Sequence, residues 1–284
     1  MTQQILLIGL NVCWQITALA LVALGLAIVF GLLRILNMAH GEFFMLGAYS
    51  HILTSELNLP SILTFPICFV LVGSTALLVE RLVVRHLYDR IFDSLLATWG
   101  ISILIREIVE MIWGRSFRNV PPPIDGVVTF AGLDYPAFRL LVMLATVVFA
   151  LILYRWYKKS MMAVNIRAMV ANPRLAEASG INTSRLATIG FVAGCICAGL
   201  AGLILSPTIG IEPNMGLDAL IRSFFALVVG GLGTLEGLGV GVAIVGGVQA
   251  GLSATFDQTT GYLGVLVLSM LFLWKRPDGL YQRN

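Results

Sequence analysis

An all-α, polytopic transmembrane helical bundle with eight or nine membrane segments is the fold class predicted for this 284-residue sequence. Three observations predict it. Hydrophobic residues make up 58% of the chain and charged residues only 12%, with a mean hydropathy of +0.92, outside the range of soluble domains. Apolar runs of roughly 20 residues, long enough as helices to cross a bilayer core of about 30 Å, recur from one end to the other. The basic residues gather in three short stretches, as they do in the cytoplasmic loops of membrane proteins. No stretch is left for a soluble domain, so residues 1–284 read as one transmembrane domain. The net charge of +3 is then an orientation signal that requires no nucleic-acid partner.

The first run, 5–33, has no Lys or Arg before Arg34 and is too long for a cleavable signal, so it reads as a retained helix. A less regular run fills 38–57, and apolar segments follow at 61–84, 92–113, 137–157, 187–206, 219–235, 238–256 and 259–274. Polar or Gly-rich residues interrupt two of these, which read either as broken crossings or as re-entrant segments. Three basic groups mark cytoplasmic loops: Arg81, Arg85 and Arg90; Arg155, Lys158, Lys159, Arg167, Arg174 and Arg185; and Lys275, Arg276 and Arg283. With the C-terminus inside and nine crossings, the N-terminus falls outside, together with 57–60, 115–136 and 207–218. Arg115 and Arg118 dissent from that rule, but Pro121, Pro122 and Pro123 favour a stiff, extended outer segment. The spaced pairs Gly190 and Gly194, Gly237 and Gly241, and Gly247 and Gly251 are candidate sites of close helix approach. Cys13, Cys68, Cys195 and Cys197 lie in apolar runs and read as small buried hydrophobes; Cys195 and Cys197 point to different helix faces.

Polar residues at membrane depth carry the functional information, because ionisable groups there generally face a bundle interior or a water-filled path. The stretch from Asn37 to Glu42 brings an amide, the His40 imidazole and a carboxylate together. Two readings stand: a translocation element, or an interfacial cap on the second helix just beyond Arg34. By the same criterion Asn37, His40, Glu42, Thr98 and Trp99 are candidate path residues. Arg106, Glu107 and Glu110 form a second polar island, in which Arg106 and Glu110 are an i, i+4 pair able to neutralise itself. It reads as an outer-end ion pair or as a docking point for a partner.

Within the cytoplasmic loop 158–186, Asn172 suits a helix N-cap, Pro173 the first helical position and Gly180 the residue beyond the end. Pro173 to Ser179 is thus predicted to form about two turns, a rigid element suited to transmitting force. The sequence has no phosphate-binding loop, no His-Glu-x-x-His, no zinc spacing and no Gly-x-Ser-x-Gly elbow, so no cofactor, metal site or enzymatic activity is expected. Any ATP used in transport is bound by another chain.

Four stretches carry a family resemblance: Gly25 to Glu42 (GLAIVFGLLRILNMAHGE) continuing to Tyr49, Arg167 to Gly180 (RAMVANPRLAEASG), Val228 to Gly233, and Arg276 to Leu280. In these the chain resembles the branched-chain (hydrophobic) amino acid permeases of bacterial ABC importers, including their urea and short-amide branch. The resemblance implies a multi-pass protein of the bacterial inner membrane. Its implied partners are a second permease, related or identical, two cytoplasmic ATP-binding subunits and a periplasmic solute-binding protein received by the outer loops at 115–136 and 207–218. It also implies that Ala171 to Gly180 is the ATPase-coupling helix, with Ala171, Asn172, Pro173, Arg174, Glu177, Ser179 and Gly180 its residues. The segment Asp93 to Gly100 (DSLLATWG) looks closer to the urea branch.

Alternating access is the expected mechanism, with interrupted pieces around 37–48 and 228–241 in comparable places of the two halves. Two other classes compete: a proton-coupled secondary transporter using His40 and Glu42 as a relay, and a passive channel for a small neutral solute.

Overall fold

The computed structural model describes residues 2–88, 90–130, 132–231, 234–276 and 279–280, and each of the nine apolar stretches contains one α-helix. Leu232, Gly233, Pro277, Asp278 and Arg283, singled out in the sequence, lie outside the described residues. The chain runs through α1 (Thr2–Leu33), α2 (His40–Glu56), α3 (Thr64–Leu82) and α4 (Ile91–Trp113) into an antiparallel hairpin of β1 (Val127–Phe130) and β2 (Leu133–Pro136). It continues through α5 (Ala137–Lys159), the short α6 (Met161–Ala171) and α7 (Pro173–Ala178), then α8 (Thr183–Ile209), α9 (Met215–Gly230), α10 (Leu235–Thr255) and α11 (Gln258–Lys275). Among the described residues, five segments are long and apolar enough to cross a membrane: Gln3–Leu33, Ser61–His86, Ala137–Lys159, Thr183–Ile209 and Glu236–Thr255. The eight or nine expected crossings are not all of this kind. Helices α2 and α9 have only 17 and 16 residues, and α4 carries Asp93, Arg106, Glu107 and Glu110.

Two ends can be distinguished because α5, 23 residues and so about 35 Å long, joins the hairpin at one end to α6 and α7 at the other. Helix starts follow from local chemistry. Asn182 accepts from Arg185 N at 2.9 Å to open α8, Thr234 from Gly237 N at 3.1 Å to open α10, and Asp257 from Thr260 N at 2.9 Å to open α11.

Helices α1 and α8 form the spine. The first packs against α8, α9 and α10; the second packs against α1, α2 and α3. Exchanging α1–α2–α3 for α8–α9–α10 therefore reproduces the same set of neighbours. The parallel extends to the connections, since both spine helices give way to partly buried non-helical chain, at 34–39 and 210–214, before the next helix begins. Those next helices cross at their starts, glycine on glycine. A Cβ on Gly41 would lie 2.1 Å from the Gly216 carbonyl oxygen, and one on Gly216 would lie 2.3 Å from that of Gly41. The counterpart of the 37–48 stretch is thus 210–216. The 228–241 stretch is instead a tight α9–α10 approach, in which Gly230 meets Gly237 and Gly241.

Two of the three spaced glycine pairs make close contacts. Gly190 and Gly194 meet Leu32, Gly25 and Val29 of α1, whereas Gly247 and Gly251 have nothing within 4 Å of an added Cβ. Cys68 and Cys195 are buried as expected, but Cys13 is exposed because its face of α1 is uncovered.

Candidate functional site

The first polar group assembles where α2 begins. Chain 34–39 is held under α4 by Met38 N, which donates to Thr98 Oγ1 at 3.1 Å, while Thr98 donates back to Ser94 O at 2.8 Å within its own helix. Asn37 Oδ1 accepts from Ala39 N at 3.1 Å and so shapes the turn into α2. Two turns along α4 from Thr98, Arg106 reaches back to α2. Its guanidinium donates to Glu42 Oε1 at 3.2 Å, and Ser102 Oγ donates to the same oxygen at 2.8 Å. Glu42 is 1% exposed and Arg106 largely covered, so the pair is a buried ion pair tying α2 to α4.

The structure therefore joins Asn37, Glu42 and Thr98 in one α2–α4 interface and separates the other two candidates from it. His40 is fully buried with its ring against the Val22 backbone and Gly25 of α1, on the α1–α8 side. Trp99, about 100° round the helix from Thr98, is 51% exposed on the outer face of α4. The expected pairing of Arg106 with Glu110 is corrected. Arg106 turns inward to Glu42, whose side chain is 2% exposed, and Glu110, 11% exposed, binds Arg115 instead, so that each largely covered carboxylate has a counter-charge.

A second polar group, not found from the sequence, lines a cavity of about 540 Å³ toward the hairpin end. Arg139 of α5, Glu212 of the α8–α9 connection, and Asp218 and Arg222 of α9 face it, with Gln249 of α10. Arg139 lies over the Trp14 ring at 5.3 Å and Arg222 over Tyr262 at 5.5 Å, contacts that fix the arginines without neutralising them. Glu212 is positioned by its neighbour. Ile211 exchanges two backbone hydrogen bonds with Arg118 at 2.8 and 2.9 Å, joining the α8–α9 connection to the loop after α4. No local signal could have revealed this set, because its members come from four elements and lie up to 110 residues apart.

At the opposite end, α7 is capped as its sequence predicts. Asn172 Oδ1 accepts from Leu175 N at 3.1 Å, Pro173 opens the helix, and Gly180 adopts φ +84° beyond its end. Ile181 N donates to Ala176 O at 3.0 Å and Gly180 N to Glu177 O at 2.9 Å, the two bonds of a Schellman motif. Ala176 alone is buried among 171–180, leaving Leu175, Glu177 and Ser179 exposed. Among the described residues no three His, Cys, Asp or Glu side chains converge on a metal-sized site.

Residues 8–274 match the family described as branched-chain amino acid transport system / permease component. The high-affinity branched-chain amino acid transport system permease protein BraD of Pseudomonas aeruginosa is 28% identical over 286 residues, which cover 93% of this chain and 91% of BraD. LivH of Escherichia coli K12, with the same description, is 28% identical over 280 residues with the same coverage of each chain. The L-arabinose ABC transporter permease AraH of Azospirillum brasilense is 28% identical over 201 residues, 63% of this chain and 58% of AraH. None of these relatives lends support to the urea and short-amide branch. Among solved structures, PsaBC from Streptococcus pneumoniae in complex with Fab covers 95% of this chain and 92% of its own at a TM-score of 0.55 and 11% identity, a likeness of fold alone. Multi-pass, helical and matched over nearly its whole length, the chain belongs to the branched-chain amino acid transport system permease component family and is a transport permease subunit.

Proposed function

We propose that this chain carries a branched-chain amino acid across the bacterial inner membrane as one permease of an ATP-driven importer. Its partners are a second permease, two cytoplasmic ATP-binding subunits and a periplasmic binding protein. The names of its full-length relatives support the solute class. The observation that carries the motor half of the reading is α7, a helix capped at both ends, only six residues long, and exposed on all but one of them. A surface loop needs no such rigidity, whereas a lever does. Its push has a route into the bundle: α8 begins five residues after α7 ends, and Thr188 of α8 donates to buried Glu80 of α3 at 3.0 Å, which also accepts from Tyr88 at 2.7 Å. We place nine crossings with α7 on the cytoplasmic face, which puts the hairpin and the polar cavity on the periplasmic side. Glu42 bonds to Arg106 and Ser102 and not to His40, which favours this reading over a proton relay.

The test is reconstitution of the permease with its ATP-binding subunits and binding protein in proteoliposomes, following leucine uptake, urea uptake and ATP hydrolysis. Leucine-loaded binding protein is expected to stimulate hydrolysis, and Glu177→Trp or Ser179→Trp to abolish uptake while hydrolysis continues. Stimulation by urea alone would overturn the solute, and normal coupling in both variants would overturn the role of α7.

A further inference from the structure

We infer that the polar cavity at the hairpin end is a binding site for a single free amino acid within one permease subunit, a site that recognises the zwitterion. The inference rests on the transport reading above and gives the solute a resting place in this chain itself. Its volume, about 540 Å³, falls inside the range of about 300–1,000 Å³ typical of small-molecule sites.

The charges decide the ligand class. Two cations, Arg139 and Arg222, and two anions, Glu212 and Asp218, face the same space, yet none of the four makes an ion pair with any described residue. Arg222 Nε instead donates to the Asp218 backbone oxygen at 3.2 Å, which leaves the Asp218 carboxylate uncommitted. Opposite charges on flexible side chains around one cavity would ordinarily collapse onto each other. Here Trp14 and Tyr262 hold the arginines by their faces, keeping the signs apart. Gln249, 4% exposed, adds an amide that makes no hydrogen bond with any described residue. A ligand carrying a carboxylate and an ammonium satisfies both signs at once. A neutral amide or a sugar would leave four charges unmatched, and a simple anion or cation would leave two.

The apolar part of the wall fits the same molecule. Val22, Phe44, Met215 and Ala219 line the cavity from α1, α2 and α9, a surface for an aliphatic side chain. Phe44 is within one turn of Glu42, and Met215 directly precedes the Gly216 crossing, so this wall is built on the place where α2 and α9 meet. A solute held there touches the starts of both helices.

The experiment is direct binding of radiolabelled leucine to the assembled permease and ATP-binding subunits, without binding protein. Nanodiscs of phosphatidylglycerol alone ensure that no zwitterionic headgroup competes. Saturable binding is expected, with leucinamide and 4-methylpentanoate, each lacking one charge, competing at least about tenfold more weakly than leucine. Arg222→Gln and Asp218→Asn should each weaken binding by at least about tenfold, with Arg222→Lys restoring part of it. The ligand series uses the unmodified protein, so the outcome does not depend on the variants folding. Absence of binding, equal competition by the one-charge analogues, or displacement of leucine by added phosphatidylethanolamine would overturn the site. Stimulated ATP hydrolysis by loaded binding protein in the same preparation would leave the importer reading standing while the site fell; its absence would bring down the importer reading itself.

Discussion

The two polar groups of this protein treat charge in opposite ways. At the α2–α4 contact, Glu42 is charge-matched through its Oε1, which accepts from Arg106 and Ser102 at 3.2 and 2.8 Å. Around the cavity, two arginines and two carboxylates share one space without an ion pair to any described residue. Both lie in an otherwise apolar chain, yet a matched buried pair holds helices in place, while unmatched charges facing a cavity leave their interaction energy for something that enters. Polarity at depth does not separate the two cases. What separates them is whether the partner is already present.

Removing one side of the matched pair should break the comparison most severely. Arg106→Ala strands a buried carboxylate, and a loss of about 3–5 kcal/mol is expected, read as a large fall in the thermal unfolding temperature in detergent. Arg222→Gln removes a charge that has no counter-ion among the described residues, so its unfolding temperature should move little, by about 1 kcal/mol at most, although leucine binding falls. Equal destabilisation by the two would erase the distinction.

Gly41→Ala should damage both groups together. Gly41 adjoins Glu42, and its partner Gly216 lies two residues before Asp218, so one crossing sets the position of each. A methyl placed 2.1 Å from a backbone oxygen cannot be absorbed by a rotamer change, and a cost at the upper end of about 1–3 kcal/mol is expected. Stability and leucine binding should fall in the same variant.

Asn172→Ala sharpens the contrast from a distance. It removes the bond to Leu175 N and should cost about 1 kcal/mol of local helix stability, seen as faster amide exchange over 174–178, without change in leucine binding.

The smallest effect is electrostatic. Asp257, beside the cavity residue Gln258, accepts hydrogen bonds from the Thr260 hydroxyl and backbone, which hold its carboxyl below the usual range. A depressed folded value means that its contribution is complete above the unfolded pKa of about 3.9 and is lost as pH falls through the folded value. Asp257's stabilisation should therefore be constant between neutral pH and about 5, with a decline in unfolding temperature below about 4 that Asp257→Asn removes.

The legible parts of the molecule were those written locally. Asn172, Pro173 and Gly180 each act within four residues, so α7 could be bounded from sequence, and the apolar runs located α1 to α5 and α8 to α11. The Asn37 to Glu42 stretch was noticeable because polar groups at depth are uncommon. Its partners were not legible: Arg106 had a plausible mate in Glu110 one turn away, and only the packing of α2 on α4 shows that Glu42 claims it. The cavity left no local trace at all. Arg139 and Glu212 sit at helix ends where charge is expected, and Asp218 and Arg222 look like an ordinary i, i+4 pair until Arg222 is seen to bind the Asp218 backbone instead.

The glycine crossing also sets a schedule for biogenesis. Gly41 and Gly216 are 175 residues apart, so at a synthesis rate of about 5–20 residues per second, roughly 9–35 s separate the emergence of α2 from that of the helix it must touch. During that interval the start of α2, with His40 and Glu42, has only the first half of the chain for shelter. Arg106 emerges first and can neutralise Glu42 early, whereas His40 must wait for Gly194 and Ala198 of α8 to close over the same region of α1. Membrane insertion of the early helices is thus a holding state, completed only when the second half of the chain arrives.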